Sequence, residues 1–390
     1  MPFEFSNKVK RLPPYIFFEI EKILEEKRRA GIEVISLSIG DPDLPPPQFI
    51  LDALMEESKK PENHGYSNSR GEAEFREAAA EWMNQRFGVD VDPNREVTAL
   101  IGSKEGIAHL SRAFLNAGDK AIVPDPGYPA YLNGGIILNE AEPVFMPLLK
   151  ERKFLPDIEF IADSKAKIIF LNYPNNPTGA VIDKHQLKEI VEVAKENNII
   201  ICYDNAYSEI TYEGYKAPSI LEIEGGIDVA VELHSLSKTF SMTGDRVGFA
   251  VGNNTLIEGI VKVKSQIDSG LPKYIQYAAI KALKSYVNGE PPEEVKRNVA
   301  IYRDRVKVLA EKLKQIGFEC EAPKATYYVW AYCGGSSMEF AKKLLDAGVA
   351  VTPGIGFGIH GEGFLRFSAT KPLEEIEKAC QKLEKIKNSL

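Results

Sequence analysis

"AKIIFLNYPNNPTGAVIDKHQLKEIVEVAKENNIIICYD", residues 166–204, reads as strand, turn, helix and strand. Its two ends are apolar at consecutive positions rather than at alternating ones, as in strands buried on both faces of a mainly parallel sheet. The segment between them, "DKHQLKEIVEVAKENN", has the spacing of a helix, and strand–helix–strand is the unit from which such sheets are wound. Four more runs of the same kind, "EVTALIG", "KAIVPD", "DVAVELH" and "VGFAVGN", alternate with helical stretches on either side. The expected fold is therefore α/β, with a mainly parallel sheet of the seven-stranded type and helices on both faces.

Outside this region the pattern changes. "YIFFEIEKILEEKRRAG" is an amphipathic helix, and "VISLSIGDPDLPPP" is a short strand broken by prolines. A long charged helix from about Val295 to Ile316 precedes short strands at "ATYYVWAY", "VAVTPG" and "FLRFSA". This succession suggests a smaller α+β unit that takes in the N-terminal helix. With 390 residues, two domains are expected: 46–285 as the large one, and 1–45 with 286–390 as the small one carrying an N-terminal arm.

The net charge of −8 argues against a nucleic-acid partner, whose phosphates demand clustered Lys and Arg. No apolar run approaches a membrane span. Four cysteines without a C-x-x-C pair point to free thiols in a reducing cytoplasm. The five histidines are dispersed, so no metal site is expected. "GFGIHG", Gly356 to Gly361, matches G-x-G-x-x-G, but a strand-like run follows where a nucleotide loop needs a helix.

Polar residues fall just beyond the buried strands: Ser103 and Lys104, Tyr128, Asn176, Asp204, Ser235 and Lys238. Ligands of open α/β sheets bind at those carboxyl ends. Lys238 is a candidate nucleophile if burial or nearby cations free its amine of a proton; the plainer reading is a surface lysine. Asp204 and Tyr207 could face one ligand, or Asp204 could cap a helix. Ser103, Ser235, Ser237 and Arg246 together suit an anion such as phosphate, although each serine alone could be a helix cap. Arg366, in a partly buried strand, needs an anionic partner, either a protein carboxylate or that of a substrate.

"SLSK" with an arginine eight residues beyond its lysine, "YPNNPTG", "YDNAY", "PDPGYPAY" and "FLRFSA" occur here in one order and spacing. On these motifs the chain resembles, over nearly its whole length, the fold-type I, pyridoxal-phosphate-dependent class I/II aminotransferases. The resemblance implies that Lys238 carries pyridoxal 5'-phosphate as a Schiff base and, once freed, moves the proton at the substrate α-carbon. Asp204 would pair with the ring nitrogen, Tyr207 and Asn176 would hold the ring oxygen, and Tyr128 would stack on the ring. Ser103, the Lys104 backbone, Ser235, Ser237 and Arg246 would hold the phosphate. Gly40 and Arg366 would bind the substrate α-carboxylate, with Tyr15, Lys104, Tyr128 and Asn176 also touching substrate.

Tyr66, in "GYSNSRG", would reach the neighbouring subunit's phosphate, and the arm with Tyr15 would cross the interface, giving a homodimer with shared sites. The substrates implied are an amino acid and a 2-oxo acid. "LPPYIF", "IGDPDLPPP", "GSKEGIAHL" and "SQIDSG" look most like the LL-diaminopimelate aminotransferase branch, which implies lysine biosynthesis with 2-oxoglutarate as acceptor. Asp245 and Gln266 depart from that branch, which often has Trp and Asn there. Where an aspartate-type pocket uses arginine, this chain has Lys262 and Lys264, with Arg70 as another source of charge. Aspartate, alanine or aromatic aminotransferases, and a β-lyase on the same scaffold, are the alternatives.

Overall fold

The computed structural model describes residues 3–387. Its N-terminal helix runs Ile16–Arg29 and leads into β1 (Ile35–Ser36). Seven strands then build the main sheet: β2 (Val97–Leu100), β3 (Lys120–Asp125), β4 (Glu142–Pro147), β5 (Ile168–Leu171), β6 (Ile200–Asp204), β7 (Ala230–Ser235) and β8 (Gly248–Gly252). Their spatial order is β2-β8-β7-β6-β5-β3-β4. Neighbours run parallel except around β8, which is antiparallel to both β2 and β7.

Six of these strands are the six apolar runs. The seventh, β4, lies at the sheet edge, carries two prolines and exposes much of its length. It therefore shows neither a continuous apolar run nor a clean alternation, and prolines are tolerated there because an edge strand has a free side.

Helix Lys184–Glu196 makes the crossover from β5 to β6. It starts with a reciprocal cap in which Asp183 accepts from the Gln186 N–H at 2.9 Å and Gln186 accepts from the Asp183 N–H at 3.0 Å. Successive residues of β6 feed opposite layers: Ile201 and Tyr203 pack with helices Ala73–Phe87 and Lys184–Glu196, and Cys202 with helix Ser103–Phe114. The sheet is thus covered on both faces, which is why its strands read as continuous apolar runs.

A separate core forms around β9 (Tyr328–Tyr332), β11 (Thr352–Pro353) and β12 (Phe364–Ser368), an antiparallel sheet in the order β11-β12-β9. β10 (Val349–Ala350) pairs in parallel with β1. Helices Glu293–Ile316 and Leu373–Glu384 complete this core, and Ala206 to Tyr212, just past β6, insert into it from the large sheet. Gly356 to Gly361 forms two short 3₁₀ turns, not the strand-to-helix loop of a nucleotide site. All four cysteines are unbonded, and among the described residues no helix is long and apolar enough to cross a membrane.

Candidate active site

The carboxyl ends of β2, β3, β5, β6 and β7 surround a cavity of about 340 Å³, closed on its other side by residues of the second core. Thirteen of the fourteen expected site residues line it. The exception is Tyr66, which lies outside its own chain's cavity and is 87% exposed.

One end is built for an anion. Gly102 precedes helix Ser103–Phe114, whose first N–H groups open towards the cavity at Ser103 and Lys104. Arg246 arrives from the other side, its Nη1 donating to the Thr243 carbonyl at 2.8 Å and its Nη2 to the Ile101 carbonyl at 3.4 Å. Glycine suits position 102, where φ is 75° and a Cβ would push the Arg246 guanidinium away. Ser235 caps helix Leu236–Thr239 by accepting from the Ser237 N–H at 3.3 Å, and both serines line the cavity. Of these serines, Ser235 alone is a cap; Ser103 and Ser237 stand inside their helices.

At the centre, Lys238 Nζ donates to the Gly40 carbonyl at 3.1 Å. Burial pushes its pKa down to about 8, against the pull of Asp41 and with help from Arg246 and Arg366. Gly40 itself leaves no room for a side chain, because a Cβ would strike Tyr328 Oη.

Asp204 is buried, and burial raises its pKa to about 6 against a hydrogen bond from Tyr131 Oη, 2.8 Å from Oδ2. Its Oδ1 is buried and has no partner. No helix follows Asp204, so the capping reading fails. An orphaned carboxylate oxygen on a cavity wall calls for a ligand that brings an N–H. Beside it, Tyr207 Oη and Tyr328 Oη lie 2.9 Å apart, and burial raises the Tyr207 and Tyr128 hydroxyls well above the usual phenol range.

Arg366 is 1% exposed. Its Nη1 donates to Asn176 Oδ1 at 2.7 Å and its Nη2 to the Ser38 carbonyl at 2.6 Å, while Nε has no acceptor. Rings surround the guanidinium, Tyr328 at 4.3 Å and Phe357 at 4.8 Å from their centroids. All its acceptors are neutral, so among the described residues no protein carboxylate pairs with it and the structural salt-bridge reading is excluded. A buried guanidinium without an anion suits a ligand carboxylate.

Several wall residues carried no assignment in the sequence. Tyr131 lies three positions after Tyr128 and is the donor to Asp204; Asn172 fixes the turn after β5, donating to the Asp204 carbonyl at 2.7 Å and accepting from the Asn176 N–H at 2.7 Å. Asp41 and Tyr328 also line the cavity. None of the alternative distal charges does: Arg70 bonds Glu258 at 2.6 Å, Lys262 faces solvent, and Lys264 is buried among carboxylates. Asp245 and Gln266 are likewise outside this chain's lining.

Residues 32–383 match the family model described as aminotransferase class I and II. The chain belongs to that family. As an aminotransferase it is 48% identical over 389 residues to the LL-diaminopimelate aminotransferase of Dehalococcoides mccartyi, covering 98% of this chain and 99% of the relative. It is 47% identical to the enzyme of that name from Aquifex aeolicus, covering 99% of this chain and all of the relative. Among solved structures, substrate-bound BacF from Bacillus subtilis superimposes with a TM-score of 0.92 at 36% identity, over 99% of this chain and 98% of that one. Aspartate aminotransferase from Thermus thermophilus with maleate gives 0.90 at 27% identity, over 99% and 100%.

Proposed function

We propose that this aminotransferase holds pyridoxal 5'-phosphate on Lys238 and moves an α-amino group between LL-diaminopimelate and 2-oxoglutarate, in lysine biosynthesis. The single observation that carries the cofactor reading is the unpartnered Asp204 Oδ1, buried on the wall of the cavity that also holds Lys238. A protonated pyridine nitrogen supplies the missing N–H, and the rest of the cavity fits the same group. Ser103, Ser235, Ser237 and Arg246 suit its phosphate, Tyr207 and Asn176 its ring oxygen, and Tyr128 its face.

Bound there, the cofactor would supply a carbonyl carbon for amines and an electron-withdrawing ring. The protein supplies the rest. Asp204, ionised above about pH 6, keeps a proton on the ring nitrogen. Lys238, with a pKa near 8, is neutral in about a tenth of molecules at about pH 7 and mostly neutral above about pH 8, and is able to take the proton from the substrate α-carbon and return it. Arg366, with Gly40, orients the α-carboxylate, and the surrounding rings exclude water from that contact.

The substrate follows the relatives that carry the LL-diaminopimelate name. Among the described residues no arginine other than Arg246 and Arg366 lines the cavity, which speaks against an aspartate-type pocket within one chain. Tyr66, exposed and outside its own cavity, fits a homodimer in which it completes the partner's phosphate site. A division into 46–285 and 1–45 with 286–390 is supported by most of each core falling within its own unit, while Ala206 to Tyr212, Tyr286 and Val295 cross the boundary. Residues 1–2 and 388–390 lie outside the described residues. Free thiols and the lack of an apolar spanning helix among the described residues fit a cytoplasmic enzyme.

To test the reading, the holoenzyme is mixed with LL-diaminopimelate and no acceptor. The cofactor absorbance should convert to the amine form and recover on addition of 2-oxoglutarate. Absence of conversion with any donor, glutamate included, rejects transamination; conversion only with other donors rejects the substrate.

A further inference from the structure

A dense cluster of buried charge stands behind the anion end of the cavity. The Lys264 side chain is 0% exposed, although Lys262, Ser265 and Gln266 around it face solvent. Its Nζ lies 2.8 Å from Glu105 Oε1 and 3.0 Å from each oxygen of Asp268, and His109 Nε2 is 3.0 Å from the same Glu105 oxygen. Glu105, His109 and Asp268 are close enough together to hold a metal ion, but the ammonium already bridges both acids. Taking an ammonium and two carboxylates out of water is a poor way to gain stability compared with apolar packing. What the cluster does instead is join two segments.

Glu105 is the third residue of helix Ser103–Phe114, and its Oε2 accepts from the Ile101 N–H at 2.5 Å, fixing the turn that leads into the anion end. The carbonyl of Ile101 in turn holds Arg246 Nη2. Asp268 runs the other way, its Oδ1 accepting from the Gly270 N–H at 2.7 Å. Gly270 is pressed against the Tyr66 loop: a Cβ there would lie 2.8 Å from the Asn68 carbonyl and 2.9 Å from Ser67 Oγ. One ammonium thus anchors both the phosphate end of its own cavity and the loop that carries Tyr66.

We propose that Lys264 is a positioning residue for the cofactor phosphate: through Glu105 it sets the Ile101–Lys104 turn of its own chain, and through Asp268 the Tyr66 loop offered to a second copy. This rests on the reading that the cavity holds pyridoxal phosphate in a homodimer.

The test compares binding of pyridoxal phosphate and of pyridoxal, which lacks the phosphate, to the cofactor-free full chain. Lys264→Met should weaken the phosphate form roughly tenfold or more while leaving pyridoxal nearly unchanged; the exposed neighbour Lys262→Met should alter neither. If Lys264→Met does not fold, Glu105→Gln and Asp268→Asn carry the same comparison, each lowering the preference for the phosphate form. A preference that stays at the wild-type value, because both affinities fall together or neither falls, overturns the proposal. Wild-type protein that binds the two forms equally well rejects the cofactor reading itself, and the proposal with it.

Discussion

Replacing Asp204 with Asn should make the cofactor-free protein more stable while disabling the enzyme. Burial raises the Asp204 carboxyl from 3.8 to about 6. A carboxyl whose folded pKa is raised favours folding only while protonated, and that advantage is lost as pH rises through about 6. At about pH 8 the ionised group therefore costs the cofactor-free fold roughly 3 kcal/mol, at 1.36 kcal/mol per pH unit. Asparagine carries no charge, but its NH2 takes the place of the partnerless oxygen and brings two N–H groups without a protein acceptor, at about 1–2 kcal/mol in all. The net gain at about pH 8 is then roughly 1–2 kcal/mol, and it should shrink by roughly 1 kcal/mol at about pH 5, where the wild-type carboxyl is mostly protonated. Urea midpoints of cofactor-free wild type and variant at the two pH values measure this directly. The holoenzyme variant, lacking the charge that keeps the ring nitrogen protonated, should lose roughly a hundredfold or more in kcat. A variant less stable than wild type at the higher pH, or one with the same difference at both, would refute the reasoning.

Three other outcomes follow from the same geometry. Gly102→Ala should displace Arg246 and weaken binding of pyridoxal phosphate more than of pyridoxal; equal losses would mean that Arg246 does not serve the phosphate. Arg366→Lys removes a planar fork held by Asn176 and Ser38, and should lower kcat/KM by about a hundredfold through loss of carboxylate orientation; an unchanged KM and kcat would remove Arg366 from the substrate site. Capture of pyridoxal phosphate by the cofactor-free protein should quicken as pH rises through about 8, since the lowered Lys238 pKa leaves the amine neutral only above that value. Stopped-flow rates independent of pH across that range would contradict the assigned nucleophile.

The buried parallel strands and the residues at their carboxyl ends were legible because burial on both faces writes itself as continuous apolar runs, and site residues follow those runs at once. The sequence hid β4, since an edge strand with two prolines lacks that signature. It also hid partners that act through geometry. Tyr131 looks like another residue of an aromatic turn until its hydroxyl is found on Asp204. Lys264 reads as one of two equivalent lysines in "KVKSQIDSG", and only folding buries one while leaving the other in solvent. Arg366 could have been a salt bridge, and the structure decides by surrounding it with neutral acceptors and rings.

The most direct test of the central claim is borohydride reduction of the pyridoxal-phosphate-loaded protein, followed by peptide mapping. The account predicts one reduced cofactor per chain, fixed to Nζ of Lys238 within "HSLSKTF". Label on another lysine, or protein that takes up no cofactor to reduce, would contradict it.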